Sequence, residues 1–284
     1  MEKFNQQLFT GERALFKANQ LEISHSVFAD GESPLKESAN LKLDYDIFRW
    51  KYPLWYSDHI IADKITFVDT ARSGIWYTND ITITNSLIQA PKTFRRSSKI
   101  TLVDVELPNA EETLWNCKEI RMENITVKGD YFGMNSEDID IKNLTLSGNY
   151  AFDGARDVYV TDARIISKDA FWNCENVTIE DSTIVGEYFG WNSKSVTLIN
   201  CTIESNQGFC YMKHLKMVDC ILINTNLAFE YSTVDIKINS RVDSIKNPLL
   251  GLIEADEIKE MIFDDPEIQS ENTVINLKKI KEVI

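Results

Sequence analysis

The chain has 284 residues, 43% of them hydrophobic and 26% charged, a balance that supports a buried core. Its net charge of −14 repels polyanions, and no basic stripe offsets it, which argues against a nucleic-acid partner. No apolar run reaches the length of a membrane span and Met1–Gly11 lacks the apolar centre of a secretion signal, so a cytoplasmic protein with no membrane partner is expected.

One phrase recurs along the chain, V/I-x-I/L-x-N/D-x-x-I/V. Loose versions begin at Leu21, Leu41 and Ile65. Clear ones follow at Ile81–Asn85, Ile100–Asp104, Ile120–Asn124, Ile139–Asn143, Val158–Asp162, Val177–Asp181, Val196–Asn200 and Leu215–Asp219, and a last, shifted one begins at Val234. The clear phrases start 19 residues apart, with one step of 20 between Ile100 and Ile120. Alternation at period two with Val and Ile dominant indicates strands, and a fixed period indicates a repeat architecture. Each repeat holds V-x-I, an Asn/Asp corner, a short second strand such as Ser182–Ile184, and a third segment such as Ala170–Cys174. The expected fold is all-β: a single-stranded right-handed parallel β-helix of 11–12 coils with three strands per coil. A leucine-rich repeat would show one strand and a helical segment per unit, and nothing here has helical period. The expectation is one domain over 1–284, with coils over 23–243, an N-terminal cap over 1–22 and C-terminal cap strands over 244–284.

The corner column reads Asp69, Asn85, Asp104, Asn124, Asn143, Asp162, Asp181, Asn200, Asp219. A corner needs a residue tolerant of left-handed backbone, which explains Asn and Asp without invoking a metal; calcium would need six or more converging oxygens. The five cysteines form no C-x-x-C pair, and Cys201 and Cys220 share a repeat position one coil apart, where stacked reduced thiols suit a reducing compartment. No metal or cofactor motif is present in this reading.

The third segments align as Leu35–Ser38, Leu54–Ser57, Ile75–Thr78, Phe94–Ser97, Leu114–Cys117, Gly133–Ser136, Phe152–Ala155, Phe171–Cys174, Gly190–Ser193, Phe209–Met212 and Phe229–Ser232. The bulky first and small fourth columns are expected to point inward and the second outward. That second column holds five of the six tryptophans, Trp55, Trp76, Trp115, Trp172 and Trp191, with Arg95, Met134, Asp153, Cys210 and Glu230 among the rest. Tyr211 and Tyr231 extend the aromatic stripe. Facing water, such a stripe suits sugar rings or a protein partner; the alternative is that the rings stack on one another or lie under loops. Phe132-Gly133 and Phe189-Gly190 place the ring one position early and suggest a local bulge.

These wound coils resemble the pectin-lyase-like superfamily of right-handed β-helices, and more closely a family of bacterial pectin-lyase-like proteins of uncharacterised function. The matching phrases are Phe4–Lys17, Phe28–Ser38, Ala170–Asn176, Gly208–Met212 and Ala228–Val234. The resemblance implies the fold, and by analogy a carbohydrate lying along the outer face of one parallel sheet. The polygalacturonase signatures are absent and the loops before the third segments are short, which argues against depolymerisation.

Glycoside hydrolysis needs two carboxyls roughly 5 to 9.5 Å apart. In the outward column the candidate acids are Asp153 and Glu230, four coils apart and therefore not a pair; Asp130, Asp169 or Glu187 could instead approach Asp153. A lyase needs a cation, for which Arg95 is the candidate. His25 takes a corner position and His59 and His214 lie near corners, none beside a paired nucleophile. The reading is thus a cytoplasmic protein that binds or modifies a carbohydrate along the aromatic column, acting as a lyase or glycoside hydrolase if it is an enzyme. The alternative is a non-catalytic scaffold or homo-oligomer that uses the same stripe.

Overall fold

The computed structural model describes residues 1–278 and divides into two compact units, Met1–Gly148 and Asn149–Ile284. Both are parallel β-solenoids. In the first unit the V-x-I strands are Glu2–Asn5, Asn19–Ser24, Ala39–Asp44, Asp58–Asp63 and the opening halves of Asn79–Ile88, Ser98–Leu107, Lys118–Lys128 and Glu137–Ser147. They pair in register, Leu21 on Leu41, Ile60, Ile81, Ile100, Ile120 and Ile139 in turn. In the second unit Val158, Val177, Val196, Leu215, Val234, Gly251 and Thr273 stack in the same way. The repeat step is therefore one turn, and residues 19 or 20 apart become vertical neighbours.

The described residues make about fifteen turns, more than the 11–12 expected. The difference lies in the segments expected to be caps. Glu2–Asn5 pairs with Leu21–Ser24 and Leu8–Phe9 with Val27–Phe28, so the first 22 residues form a turn themselves. Leu250–Ala255 and Thr273–Leu277 continue the first side, while Arg241–Lys246 pairs with Glu257–Ile262. Residues 279–284 of the expected C-terminal cap lie outside the described residues.

Period-two alternation fills the interior. Ile81, Ile83, Ile100, Leu102, Ile120 and Ile139 are buried on the first side of the first unit, and Ile165, Ile184, Ile203 and Leu222 on the second side of the second unit. Rings stack as well as aliphatics: Phe9, Phe28, Phe48 and Phe67 form a column with centroid spacings of 4.8, 4.6 and 4.8 Å.

The third side departs from expectation. It is a ladder of turns joined by isolated bridges such as Trp76–Arg95 and Arg95–Trp115, not a regular strand. The reason is backbone handedness. Phe94, Leu114, Phe152, Phe171, Phe209 and Phe229 have positive φ, and so do Tyr56, Tyr77, Arg96, Asn116, Asn173 and Asn192 two positions later. Each left-handed residue reverses the pleat, so an extended run cannot form. Where the first-column residue is Gly133 or Gly190, at φ 78° and 76°, the inward ring comes from Phe132 or Phe189, both buried. This accounts for the bulge.

The inward facing of the fourth column holds: Ser38, Ser57, Thr78, Ser97, Cys117, Ser136, Ala155, Cys174, Ser193, Met212 and Ser232 are all buried. Their small polar groups bind the turns together. Ser136 Oγ donates to the Leu114 carbonyl at 2.7 Å and accepts from the Cys117 amide at 2.9 Å; Ser193 does the same with Phe171 and Cys174 at 2.7 and 2.8 Å. Thr78 Oγ1 donates to the Leu54 carbonyl. A hydroxyl here satisfies main-chain groups that the irregular side leaves open.

The Asn/Asp corners are left-handed as expected, with φ between 49° and 57° at Asn85, Asp104, Asn124, Asn143, Asp162, Asp181, Asn200 and Asp219. Asn143 Nδ2 donates to Asn124 Oδ1 and Asn124 Nδ2 to Asp104 Oδ1, both at 2.8 Å. Asp69 is the exception, because Lys64 at φ 52° turns that corner, while His25 at φ 51° turns an earlier one and stacks on Tyr45 at 4.9 Å.

Candidate functional site

The tryptophan column forms short stacks. In the first unit Trp55 lies on Trp76 at 5.1 Å and 8°; the Arg95 guanidinium follows, 4.7 Å from Trp76 and 4.5 Å from Trp115. In the second unit Trp172 lies on Trp191 at 5.4 Å and 14°. Every indole N–H of the column is used: Trp76, Trp115, Trp172 and Trp191 each donate to the carbonyl 16 residues later, and Trp55 to that of Ser73. All five side chains are half-buried. A sugar packs on a ring face; both faces of Trp76 are taken, by Trp55 and Arg95, and each of the other four rings has a face committed to its stacking partner. Tyr211 and Tyr231, 5.4 Å apart, continue the aromatic run, and the Tyr231 hydroxyl donates to Asp265 at 2.7 Å.

The candidate catalytic groups are not brought together. Arg95 belongs to the first unit and pairs with Glu112 at 3.0 Å. In the second unit Asp153 accepts from Asn173 at 2.9 Å, and Glu230, nearly buried, pairs with Lys246 at 3.1 Å. Four turns separate these two acids, since residues 153, 172, 191, 210 and 230 occupy successive turns. Of the loop acids, Asp169 is near enough to feel Asp153. Burial raises its pKa, and the neighbouring Glu187 and Asp153 add to the rise against Lys168 and Tyr150. Its side chain is shut off from solvent at 2% exposure, which denies a substrate access to it.

A more open arrangement lies on the first side. In the second unit a groove of about 480 Å³ is lined by Asn176, Ser195, Thr197, His214, Lys216 and Asp235 among others. The alternation of V-x-I turns Thr197, Lys216 and Asp235 outward on three successive turns, in register. A left-handed residue at the second position of each strand puts Asn176, Ser195 and His214 along the same groove. Gly251 lets the next turn close in, because a Cβ there would lie 1.8 Å from the Val234 carbonyl oxygen.

Ladder pairs form at two places on this surface of the second unit: Lys194 meets Glu175 at 2.7 Å and Lys237 meets Asp219 at 3.2 Å. In the groove, among the described residues, the side chains of His214, Lys216 and Asp235 make no hydrogen bond or ion pair. A smaller groove of about 360 Å³ in the first unit is lined by Asn40, Lys42, His59, Ile61, Asp80 and Thr82. There the imidazole is occupied, His59 lying 2.8 Å from Asp58 and 3.4 Å from Asp80. Among the described residues no group of three or more His, Cys, Asp or Glu side chains is arranged to hold a metal ion. The signal for the larger groove was present in the outward x of V-x-I, but the tryptophan column was the more conspicuous pattern.

No helix among the described residues is long and apolar enough to cross a membrane. No curated protein matches the chain. Among solved structures it is similar to the A-module of the mannuronan C-5 epimerase AlgE4 from Azotobacter vinelandii. Identity is 9% and the TM-score 0.34, over 97% of this chain and 88% of that one. It is also similar to a tailspike protein mutant of the E. coli bacteriophage HK620, solved in complex with a pentasaccharide. There identity is 11% and the TM-score 0.39, over 90% of this chain and 62% of that one. A family model matches residues 2–276, and the chain belongs to that family, described as "Protein of unknown function (DUF3737)".

Proposed function

We propose that the protein binds a carbohydrate on the first side of its second unit, in the groove of Asn176, Ser195, Thr197, His214, Lys216 and Asp235. The observation that carries this reading is that the last three line one groove on adjacent turns with no hydrogen bond or ion pair to their side chains among the described residues. An amide, hydroxyls, an imidazole, an ammonium and a carboxylate supply donors and acceptors at the spacing of successive turns, roughly 4.8 Å, which suits the hydroxyls of consecutive sugar units. The tryptophan stacks, whose rings pack on one another or on Arg95, act as scaffold. The reading is of a binding protein, since Asp153 and Glu230 lie four turns apart and Glu230 is itself buried and tied to Lys246. Five buried free thiols support action in the cytoplasm.

A glycan array probed with the labelled protein tests the proposal. The wild type is expected to retain a subset of glycans, the His214→Ala/Lys216→Ala double variant to lose them, and an Arg121→Ala variant on the first unit to keep them. An array with no retained glycan, or a double variant that binds as the wild type does, would refute it.

A further inference from the structure

Just inside the corner at the start of the second side runs a column whose polar members share one pattern. Ser26 Oγ accepts from the Gln7 amide at 3.1 Å and donates to the Ser24 carbonyl at 2.8 Å. Ser86 accepts from Ile65 at 3.0 Å and donates to Thr84 at 2.5 Å. Ser182 accepts from Ala163 at 2.9 Å and donates to Glu180 at 2.6 Å. Each hydroxyl takes the amide of the turn before and gives its proton to the carbonyl two residues back.

Asp46 holds the same position. Its Oδ1 accepts from the Ser26 amide at 2.8 Å, the first half of the pattern. Its Oδ2 has no partner, and the residue is wholly buried at 0% exposure. A carboxylate has no proton to give, so the second half of the pattern is open to it only as the acid. An unpartnered anionic oxygen in such a site is costly.

We infer that Asp46 is carried in the fold as the neutral acid, and that the N-terminal turns of the first unit are therefore held by a proton. The surroundings agree. Asp44, two residues earlier at the end of the preceding strand, adds negative charge. On the turn before, His25 faces outward and stacks on Tyr45. On the turn after, Lys64 is taken by Asp63 at 2.8 Å. Among the described residues no cation neutralises the site. Burial, the largest cause, lifts the Asp46 pKa from 3.8 to about 7, against the Ser26 and Asp44 main-chain contacts.

The sign follows from linkage. An acid whose pKa is raised on folding binds its proton more tightly in the fold than in the unfolded chain. Its contribution is therefore lost as pH rises from about 4 to about 7, by up to tenfold in the folding constant per pH unit, and levels off above that. The whole effect approaches a thousandfold.

The test is urea unfolding of the full chain between pH 4 and 8, for the wild type, Asp46→Ser and Asp46→Asn, together with an NMR titration of the Asp46 side-chain carboxyl carbon. The ratio of variant to wild-type folding constants is expected to climb about a thousandfold across this range for both variants, and the carboxyl carbon to titrate near pH 7. If Asp46→Ser does not fold, Asp46→Asn and the wild-type titration remain decisive. A titration midpoint near 4, or a pH profile of either variant parallel to that of the wild type, would overturn the inference.

Discussion

Arg95 is the member of the first-unit stack that is not a ring, and replacing it tests how these turns are held. Its guanidinium lies 4.7 Å from the Trp76 ring and 4.5 Å from the Trp115 ring and pairs with Glu112 at 3.0 Å. A desolvated cation–π contact contributes up to about 2 kcal/mol and an exposed one about 0.5–1. Arg95 is partly buried, so two such contacts come to about 2–3 kcal/mol. Arg95→Ala would also open a gap between two indoles and leave Glu112 with Lys92 alone, 3.1 Å away. The expected cost is about 2–4 kcal/mol. With a urea dependence of about 2 kcal/mol per molar, the midpoint of the first unit falls by about 1–2 M. Arg95→Lys keeps the charge but loses the plane and is expected to recover less than half of the loss. Arg95→Trp offers the column its usual residue, with the carbonyl of Glu112, which stacks between the acceptors Lys92 and Tyr131, to receive the indole N–H, and is expected to cost less than about 1.5 kcal/mol. Urea unfolding followed by far-UV circular dichroism measures all three. If Arg95→Ala unfolds with the wild type, or Arg95→Trp is worse than Arg95→Ala, the stack is not what holds these turns.

Cys201→Ser is expected to cost less than about 1 kcal/mol by urea unfolding, because Ser182 already fills that column one turn earlier and donates to the same kind of carbonyl. Gly186→Ala is expected to cost more than about 3 kcal/mol or to prevent folding, since a Cβ there would lie 1.9 Å from the Ser167 carbonyl oxygen; thermal unfolding of the purified variant reads this directly. Asn124→Ala removes a rung of the corner ladder, bonded at 2.8 Å to both Asp104 and Asn143, and leaves a left-handed backbone at φ 56°. The same assay should show a loss of about 1–3 kcal/mol, which Asn124→Gly partly recovers. The groove variants His214→Ala and Lys216→Ala leave melting temperature within about 2 °C of the wild type, because neither side chain has a partner among the described residues.

The turn, the parallel pairing and the inward columns could be read from residue order, because stacking forces like residues to recur at one spacing. Ile81, Ile100, Ile120 and Ile139 show the period without reference to any coordinate. The third side could not be read in the same way. Its left-handed positions are filled by Phe94, Leu114, Tyr56 and Arg96, residues with no local preference for that conformation, so only the fold makes them adopt it. The same limit misplaced one corner: Asp69 has the expected chemistry, yet Lys64 turns the chain.

The tryptophans were legible as a column but not as hydrogen-bonded stacks, since their N–H partners are carbonyls of the following loop and leave no trace in side-chain identity. The groove was hidden for a simpler reason. Thr197, Lys216 and Asp235 look like ordinary outward residues of a strand, and their lack of partners is a property of the surface around them.

The account depends on the 19-residue step being one turn, and paired spin labels measure that directly. Labels placed at Asn173 and Asn192, exposed and bonded to each other at 2.9 Å, should broaden each other strongly in continuous-wave EPR. Labels at Asn173 and Tyr211, two turns apart and separated by roughly 10 Å between main chains, should broaden far less, because dipolar coupling falls with the cube of distance. Equal broadening in the two pairs, or none in the first, would mean that these residues are not vertical neighbours, and the groove built from successive turns would not exist.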